Sequence, residues 1–203
     1  MQSIDDKLIS MVYGHGRGFV FTPNLFSSLG DPRVVGTVLT RLYRKGTIRR
    51  LARGLYDYPR KHPKLGLLSP SLDDVANALK GRDGTRLQPS GAYAANLLGL
   101  SNQVPMKVVF LTDGQSKRIQ LGKQEIILKR TTPRNMATAG RISGLFIQAL
   151  RHIGQKHVDE SVLHALKKQL REDDKKQLIK DLQYAPAWIA DIMRNIAKQN
   201  GDK

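Results

Sequence analysis

The sequence predicts a protein of the α+β class, because helical and strand-like patterns occupy separate stretches of the chain. The N-terminal stretch has helical patterns and ends in a short basic hairpin. Strand-like runs then lie between residues 107 and 129, and helical periodicity continues from about residue 134. With 203 residues, of which 40% are hydrophobic, the chain is long enough for one large domain or two small ones.

The first thirty residues predict two helices joined by a short strand. Ser3, followed by Asp6 three residues later, has the pattern of a capping box and begins the first helix. The segment 14–18 is glycine-rich, but no strand precedes it and no Gly-Lys-Ser/Thr follows, which favours a helix stop over a phosphate-binding loop. The short run 19–21 is strand-like. A second helix is then expected from Thr22, with a proline in its first turn.

A third helix is predicted directly after Gly30. Asp31 is placed to cap it, Pro32 suits its first position, and Gly46 is placed to end it. Apolar residues recur at helical spacing and define one face of this helix. That face is expected to contain Val34, Val35, Val38, Leu39 and Leu42.

The other face of this helix is polar and basic, and two strand-like runs, 48–51 and 55–58, follow it. The helix face carries Arg33, Thr37, Thr40, Arg41 and Arg44, and the hairpin carries Arg49, Arg50 and Arg53. A helix with such a face, followed by a basic hairpin, is the layout of a winged helix-turn-helix. We therefore expect these eight residues to contact DNA.

The expected roles differ among these residues. Arg33 and Thr37, near the helix N-terminus, are favoured for base edges, and Arg41 and Arg44 for phosphates. Neighbouring strand residues point to opposite faces, which leaves packing against the helix as an alternative for one of Arg49 and Arg50. Of the two, Arg50 is favoured for DNA contact. The alternative interpretation is a solvated helix face and a charged strand edge that discourages pairing. Tyr56 is expected to close the small core.

The charge distribution supports an acidic partner. The chain has 34 Lys and Arg against 17 Asp and Glu, a net charge of +17. Residues 1–64 contain 12 basic and 4 acidic residues, and residues 32–56 contain no acid. Nucleic acid is the first candidate partner, followed by an anionic membrane or an acidic protein.

Composition also predicts a domain boundary. Residues 59–70 contain three prolines and several basic residues, so a linker is expected at 63–70. The domains would then be a winged helix-turn-helix at 1–62 and a mixed domain of helices and a small antiparallel sheet at 71–203, which ends in a helical bundle. Three strands are predicted near 107–111, 118–121 and 125–129. Their covered face is expected to hold Ile119, Leu121, Ile126 and Leu128.

The sequence lacks the patterns of several other functions. There is no cysteine, the histidines lie outside metal-ligand spacings, and no catalytic constellation is recognisable. We therefore expect no cofactor, no bound metal and no enzymatic activity. No apolar run approaches the ~20 residues of a membrane span, and the N-terminus lacks the features of a signal peptide. These observations predict a cytoplasmic protein that does not act at a membrane.

Four motifs in a fixed order resemble a known family. They are G-T-I-R-R-L-A-R-G-L-Y at 46–56, G-L-S-N-Q-V-P-M-K-V-V-F-L-T-D-G at 99–114, R-I-Q-L-G at 118–122 and K-R-T at 129–131. This order is similar to that of AbiE-type antitoxin regulators, which belong to type IV toxin–antitoxin and abortive-infection systems. The resemblance covers roughly residues 1–150.

The resemblance implies a function as well as a fold. Such proteins join an N-terminal winged helix, which binds inverted repeats in the promoter of their own operon, to a C-terminal antitoxin domain. That domain counteracts a nucleotidyltransferase-like toxin encoded alongside. The resemblance therefore implies double-stranded DNA and a cognate toxin as partners. Two alternatives remain open: an interaction module that neutralises a partner without binding DNA, and an RNA-binding protein.

Overall fold

The computed structural model describes residues 3–81 and 84–198. It is a mixed α+β structure, as the sequence predicted. The chain divides into two compact units, Met1–Thr85 and Arg86–Lys203. This boundary lies later in the chain than the linker expected at 63–70.

In the first unit, helices both precede and follow the short strands along the chain. Its elements are α1 (Ile4–Gly14), β1 (Val20–Phe21), a 3-10 helix (Pro23–Leu29), α2 (Pro32–Arg44), β2 (Arg49–Ala52), β3 (Leu55–Asp57), β4 (Lys61–His62), β5 (Gly66–Leu67) and α3 (Leu72–Lys80). Strands β4 and β5 form a two-stranded hairpin within the stretch expected to be a linker. Helix α3 packs against β1, which explains why it belongs to this unit.

The predicted ends of α1 and α2 are confirmed. The backbone N–H of Asp6 donates to the Ser3 hydroxyl over 3.1 Å, and the Ser3 N–H donates to the Asp6 carboxylate over 3.3 Å. At α2, the Asp31 carboxylate accepts from the N–H of Arg33 over 2.7 Å. Gly46 follows the helix with φ +69°, a conformation that favours glycine.

Two local predictions in this unit are wrong. The segment after Thr22 is a 3-10 helix, and the Thr22 side chain makes no capping hydrogen bond. Only seven residues separate that threonine from Gly30, and they include Ser27 and Ser28, which favour turns over helix interiors. Val34 is 43% exposed, because it lies at the margin of the apolar stripe, while the other four predicted residues of that face are buried.

The first sheet has the order β1-β3-β2, with antiparallel pairs throughout. Its register places Phe21, Tyr56 and Arg50 side by side across the three strands. The next pairing along β2 and β3 places Arg49 opposite Asp57. Phe21 belongs to the hydrophobic core of this unit, which is formed by α1, the 3-10 helix and α2. The largest buried members of that core are Phe21, Phe26, Leu8, Leu39 and Ile48.

Within the described residues, the second unit contains a four-stranded sheet and eight segments of helix. Its elements are β6 (Leu87–Ser90), α4 (Gly91–Leu97), β7 (Lys107–Thr112), β8 (Lys117–Leu121), β9 (Gln124–Arg130), α5 (Pro133–Met136), α6 (Ile142–Ile153), α7 (Glu160–Lys168), α8 (Glu172–Lys180), α9 (Ala187–Lys198), and 3-10 helices at Gln155–His157 and Leu182–Tyr184. Within the described range 84–198, the bundle core forms around Phe146, Leu150, Leu166, Leu178, Ile189 and Met193.

The sheet of the second unit is mixed, which corrects the prediction of three antiparallel strands. Its order is β6-β7-β9-β8, and β7 pairs with β9 in parallel, while the other two pairs are antiparallel. Strand β9 occupies a central position, consistent with its consecutive apolar residues 126–128. The expected covered residues Ile119, Ile126 and Leu128 are buried, and Leu121 is partly exposed.

A buried carboxylate connects three helical segments of this unit. Asp181, at the end of α8, accepts from the guanidinium of Arg141 over 2.7 Å, from the hydroxyl of Ser143, and from the amide of Gln177 over 2.9 Å. All three donors belong to the protein itself, so the buried carboxylate is held in a structural hydrogen-bond network.

Among the described residues, no helix is long and apolar enough to cross a membrane.

Candidate nucleic-acid interface

The exposed face of α2 forms one wall of a groove. Arg33, Thr37, Thr40, Arg41 and Arg44 recur every three or four residues and are all exposed, while Val35, Val38, Leu39 and Leu42 bury the opposite face. Burial of that apolar stripe fixes the rotation of the helix. The basic face is therefore held outward.

The hairpin supplies the other wall. Arg50 on β2 and Tyr56 on β3 pair directly across the strands and line the same groove as the α2 side chains. The groove has a volume of about 620 Å³. Six of the eight residues predicted from the sequence lie together here: Arg33, Thr37, Thr40, Arg41, Arg44 and Arg50.

Two residues of the groove escaped the sequence prediction. Gly36 lies on the exposed face of α2, and a Cβ built on it would meet no atom within 4 Å, so the backbone is open to close approach. Its position, three residues after Arg33 and four before Thr40, would have identified it by helical spacing. Tyr56 was expected in the core. Its ring does stack on Phe21, with centroids 6.0 Å apart, but its side chain also lines the groove.

The threonine hydroxyls of the groove are already committed as donors. Thr37 donates to the carbonyl of Arg33 over 3.0 Å, and Thr40 donates to the carbonyl of Gly36 over 2.8 Å. In this state, each threonine presents a methyl group and an oxygen that accepts. The expectation that they act as donors to base edges therefore requires these local bonds to break.

Arg41 is paired within the protein. Its guanidinium donates to the Asp5 carboxylate of α1 over 2.7 Å, and both side chains are partly exposed. An exposed ion pair of this kind contributes about 0–1 kcal/mol, so it is easily exchanged for another anion. Arg41 thus carries less free charge than its position on the helix suggests.

Arg49 and Arg53 lie outside the groove. The guanidinium of Arg49 makes two hydrogen bonds with Asp57, over 2.6 and 3.1 Å, and a third to the carbonyl of Leu68 over 2.7 Å. The Asp57 side chain is 2% exposed, so the pair is largely shielded from water. Arg53 is exposed at the turn beside Gly54, whose φ is +72°.

The sheet of the second unit also carries basic side chains. Lys107, Lys117, Arg118, Lys123, Lys129 and Arg130 are all exposed on the sheet. Arg118 approaches Glu125 at 3.6 Å, which neutralises part of this charge. Their spread over three strands gives a diffuse basic surface.

The histidines serve local structure. The ring of His15 stacks on Phe19, with centroids 3.9 Å apart. His62 accepts through Nδ1 from the backbone N–H groups of Lys64 and Leu65, each over 3.2 Å. Over residues 3–81 and 84–198, no three His, Asp or Glu side chains gather as a metal site.

Comparison with known proteins identifies a family. No curated protein matches the chain. The model of a family of unknown function (DUF6088) matches residues 7–178. This range contains all residues of the α2 groove and the sheet of the second unit. The chain therefore belongs to this family of unknown function, DUF6088.

Proposed function

We propose that the protein binds double-stranded DNA through the α2 groove and represses its own operon, as the antitoxin of a two-gene toxin–antitoxin system. The observation that carries the DNA-binding part is the groove itself. It places four arginines, two threonines and an uncovered glycine backbone around one helix face. No acidic side chain lines it among the residues that the structure describes.

The dimensions of α2 suit the major groove of DNA. Its 13 residues give a length of about 20 Å, and an α-helix is narrow enough for a groove about 12 Å wide. The exposed side chains from Arg33 to Arg44 extend over about 16 Å of helix axis. This span corresponds to roughly five base pairs at 3.4 Å each.

The proposal assigns different roles to the arginines. Arg33, in the first turn of α2, is the candidate base reader, because recognition helices place their N-terminal residues on base edges. Arg44 and Arg50 are assigned to phosphates on the two sides of the groove. Arg53 is assigned to the backbone or a minor groove, beyond the hairpin turn. Arg49 has a positioning role, since its guanidinium is engaged by Asp57.

The order of elements supports a winged helix-turn-helix. Helix α1, the 3-10 helix and α2 precede a three-stranded antiparallel sheet in which β2 and β3 form a hairpin. In this interpretation α2 is the recognition helix, the 3-10 helix is its preceding helix, and the β2–β3 hairpin is the wing. The close packing of α2 on the 3-10 helix is consistent with such a pair.

The antitoxin part of the proposal has a different basis. It rests on the resemblance of the four ordered motifs to AbiE-type regulators. The proposed partner is a nucleotidyltransferase-like toxin from the neighbouring gene, and the protein would act in the cytoplasm without catalysis. The exposed basic sheet of the second unit is a candidate surface for an acidic face of that toxin.

A mobility-shift assay on the upstream region tests DNA binding. Wild type is expected to shift this fragment in preference to a scrambled fragment of equal length. Arg33→Ala is expected to weaken binding by about 1–3 kcal/mol, the usual value of a bidentate base contact. Lys168→Ala, an exposed change on α7, is the matched control and is expected to bind like wild type. An Arg33→Ala protein that binds as tightly as wild type would overturn the recognition-helix assignment.

A growth assay tests the antitoxin part separately. Co-expression with the neighbouring gene is expected to rescue growth, and Arg33→Ala is expected to rescue as well while losing repression of a promoter reporter. Rescue without any DNA binding by wild type would instead favour direct neutralisation by protein contact. Failure of rescue by a folded wild-type protein would remove the antitoxin assignment.

A further inference from the structure

A second basic pocket lies at the base of the β2–β3 hairpin, at the end opposite the turn. It is lined by Tyr13, Arg17, Lys45, Tyr58 and Lys61, together with nearby backbone, and has a volume of about 270 Å³. It shares no lining residue with the α2 groove. Its side chains come from the end of α1, the end of α2 and the segment after β3.

Arg17 is held in position before any ligand arrives. Its guanidinium carbon lies 4.8 Å from the centre of the Tyr58 ring, and its Nη1 donates to the carbonyl of Pro59 over 3.2 Å. In return, Arg60 donates from Nε to the carbonyl of Arg17 over 2.9 Å. The guanidinium thus has a fixed plane, and most of its five N–H donors are not used by these contacts.

The backbone beneath Arg17 is fixed as well. Gly18 donates to the carbonyl of Tyr58 over 2.6 Å, and Tyr58 donates to the carbonyl of Phe19 over 2.9 Å. A Cβ on Gly18, whose φ is +96°, would collide with the Arg60 guanidinium. The positive φ favours glycine at this position, and a larger residue would also displace the Arg60 side chain.

The charge of the pocket has no counterpart within it. Arg17, Lys45 and Lys61 contribute three cations, and no Asp or Glu lines the pocket among the described residues. Asp57, an acid next to Tyr58 in sequence, is buried in its pair with Arg49. Three cations around one small pocket repel one another, so an anion there would be stabilised by all three.

We propose that this hairpin-base pocket binds a phosphate of the DNA backbone at the end of the stretch that α2 contacts. The inference rests on the proposed DNA-binding function and extends its footprint. Lys45 directly follows Arg44, the last groove residue of α2, so the pocket lies at the C-terminal end of the helix, about 18 Å from Arg33 along the helix axis. Tyr13, which is 50% exposed, adds a phenol hydroxyl able to donate to a phosphate oxygen.

The salt dependence of binding tests this pocket. The full-length protein is titrated against a fluorescent 30-base-pair duplex of mixed sequence, at several KCl concentrations, by anisotropy. The double variant Lys45→Gln/Lys61→Gln removes two charges from the pocket. The matched control, Lys156→Gln/Lys168→Gln, removes two exposed charges of the second unit. All four lysines are exposed, so we expect every variant to fold, which circular dichroism checks.

The expected result is a smaller salt slope for the pocket variant than for its matched control. Each lost phosphate contact reduces the slope of log K against log[KCl] by about 0.9, and the pocket is proposed to hold one phosphate, so the double variant is expected to lose about 0.9. Acetylation of wild type, followed by mass spectrometry, is expected to show protection of Lys45 and Lys61 by the duplex, and none of Lys156.

The outcomes separate the two proposals. Suppose that Arg44→Gln/Arg50→Gln reduces the slope, that the pocket variant matches its control, and that the duplex does not protect Lys45 and Lys61 of wild type from acetylation. The proposal for the hairpin-base pocket is then overturned, and the assignment of the α2 groove to DNA stands. If the groove variant also matches wild type while the pocket variant reduces the slope, the pocket is supported and the groove assignment fails. Absence of binding by wild type overturns both.

Discussion

Replacement of the two neighbouring arginines of β2 is expected to have different effects on stability: a large loss for Arg49 and almost none for Arg50. Arg49→Ala leaves the Asp57 carboxylate, 2% exposed, without the guanidinium that donates to both of its oxygens. Breaking a buried pair from one side costs about 3–5 kcal/mol. Because the Arg49 side chain is 27% exposed, we take the lower end, about 3 kcal/mol. Arg50→Ala removes an exposed side chain and is expected to change stability by about 0.5 kcal/mol or less.

Thermal unfolding followed by circular dichroism measures this difference. For a unit of this size, about 3 kcal/mol corresponds to a loss of roughly 12–24 °C in Tm. Hydrogen exchange resolved by peptide is expected to show faster exchange around residues 49–58 and 68 in Arg49→Ala. Arg49→Lys, which keeps the charge but loses the two-pronged geometry, is expected to fall between. Equal stability of Arg49→Ala and Arg50→Ala would refute the assigned roles.

Three further predictions concern single positions. Gly144→Ala on α6 is expected to destabilise the protein strongly, because its Cβ would collide with the carbonyl of Thr138; urea unfolding checks this, and an unchanged midpoint would contradict it. Gly36→Ala is expected to stabilise α2 by up to about 1 kcal/mol yet weaken DNA binding by filling the groove, so a stabler variant with unchanged affinity would argue against contact there. The N–H of Val162 donates to the Asp159 carboxylate and lowers its pKa, so this hydrogen bond stabilises the fold above the ordinary aspartate pKa and the stabilisation is lost as pH falls. The difference in stability between wild type and Asp159→Ala is therefore expected to shrink below about pH 4. A difference that stays constant with pH would contradict this.

Helical periodicity explains why the α2 face was predictable from the sequence. The cap at Asp31, the stop at Gly46 and the apolar spacing fix both the ends and the rotation of the helix. Once the buried stripe is known, the exposed arginines follow. Val34 was misplaced because residues at the margin of a stripe are decided by neighbouring elements, which periodicity does not describe.

The roles of Arg49 and Arg50 were only half predictable. Strand alternation predicts that the two side chains point to opposite faces of the sheet, but it does not predict which face is covered. That depends on Asp57 and on the Leu68 carbonyl, which accept from Arg49 and come from later in the chain. For the same reason, the hairpin-base pocket could not be predicted: its cations come from residues 17, 45 and 61 and meet only in the folded unit.

The mixed sheet shows a similar limit. Successive strands with short connections predict antiparallel neighbours, and this holds for β8 and β9. Strand β9, however, inserts between β7 and β8, which makes its pairing with β7 parallel. The fourth strand, β6, contains Pro89, a residue that argues against a central strand and is tolerated here at the edge.

The most direct test of the central claim is the salt dependence of binding to the upstream region of the protein's own gene. The variant Arg44→Gln/Arg50→Gln removes two groove charges that are assigned to phosphates. We expect salt-sensitive binding by wild type and a slope smaller by about 1.8 in the variant. Wild-type binding that ignores salt, or an identical slope in a folded variant, would contradict the assignment of the α2 groove to DNA.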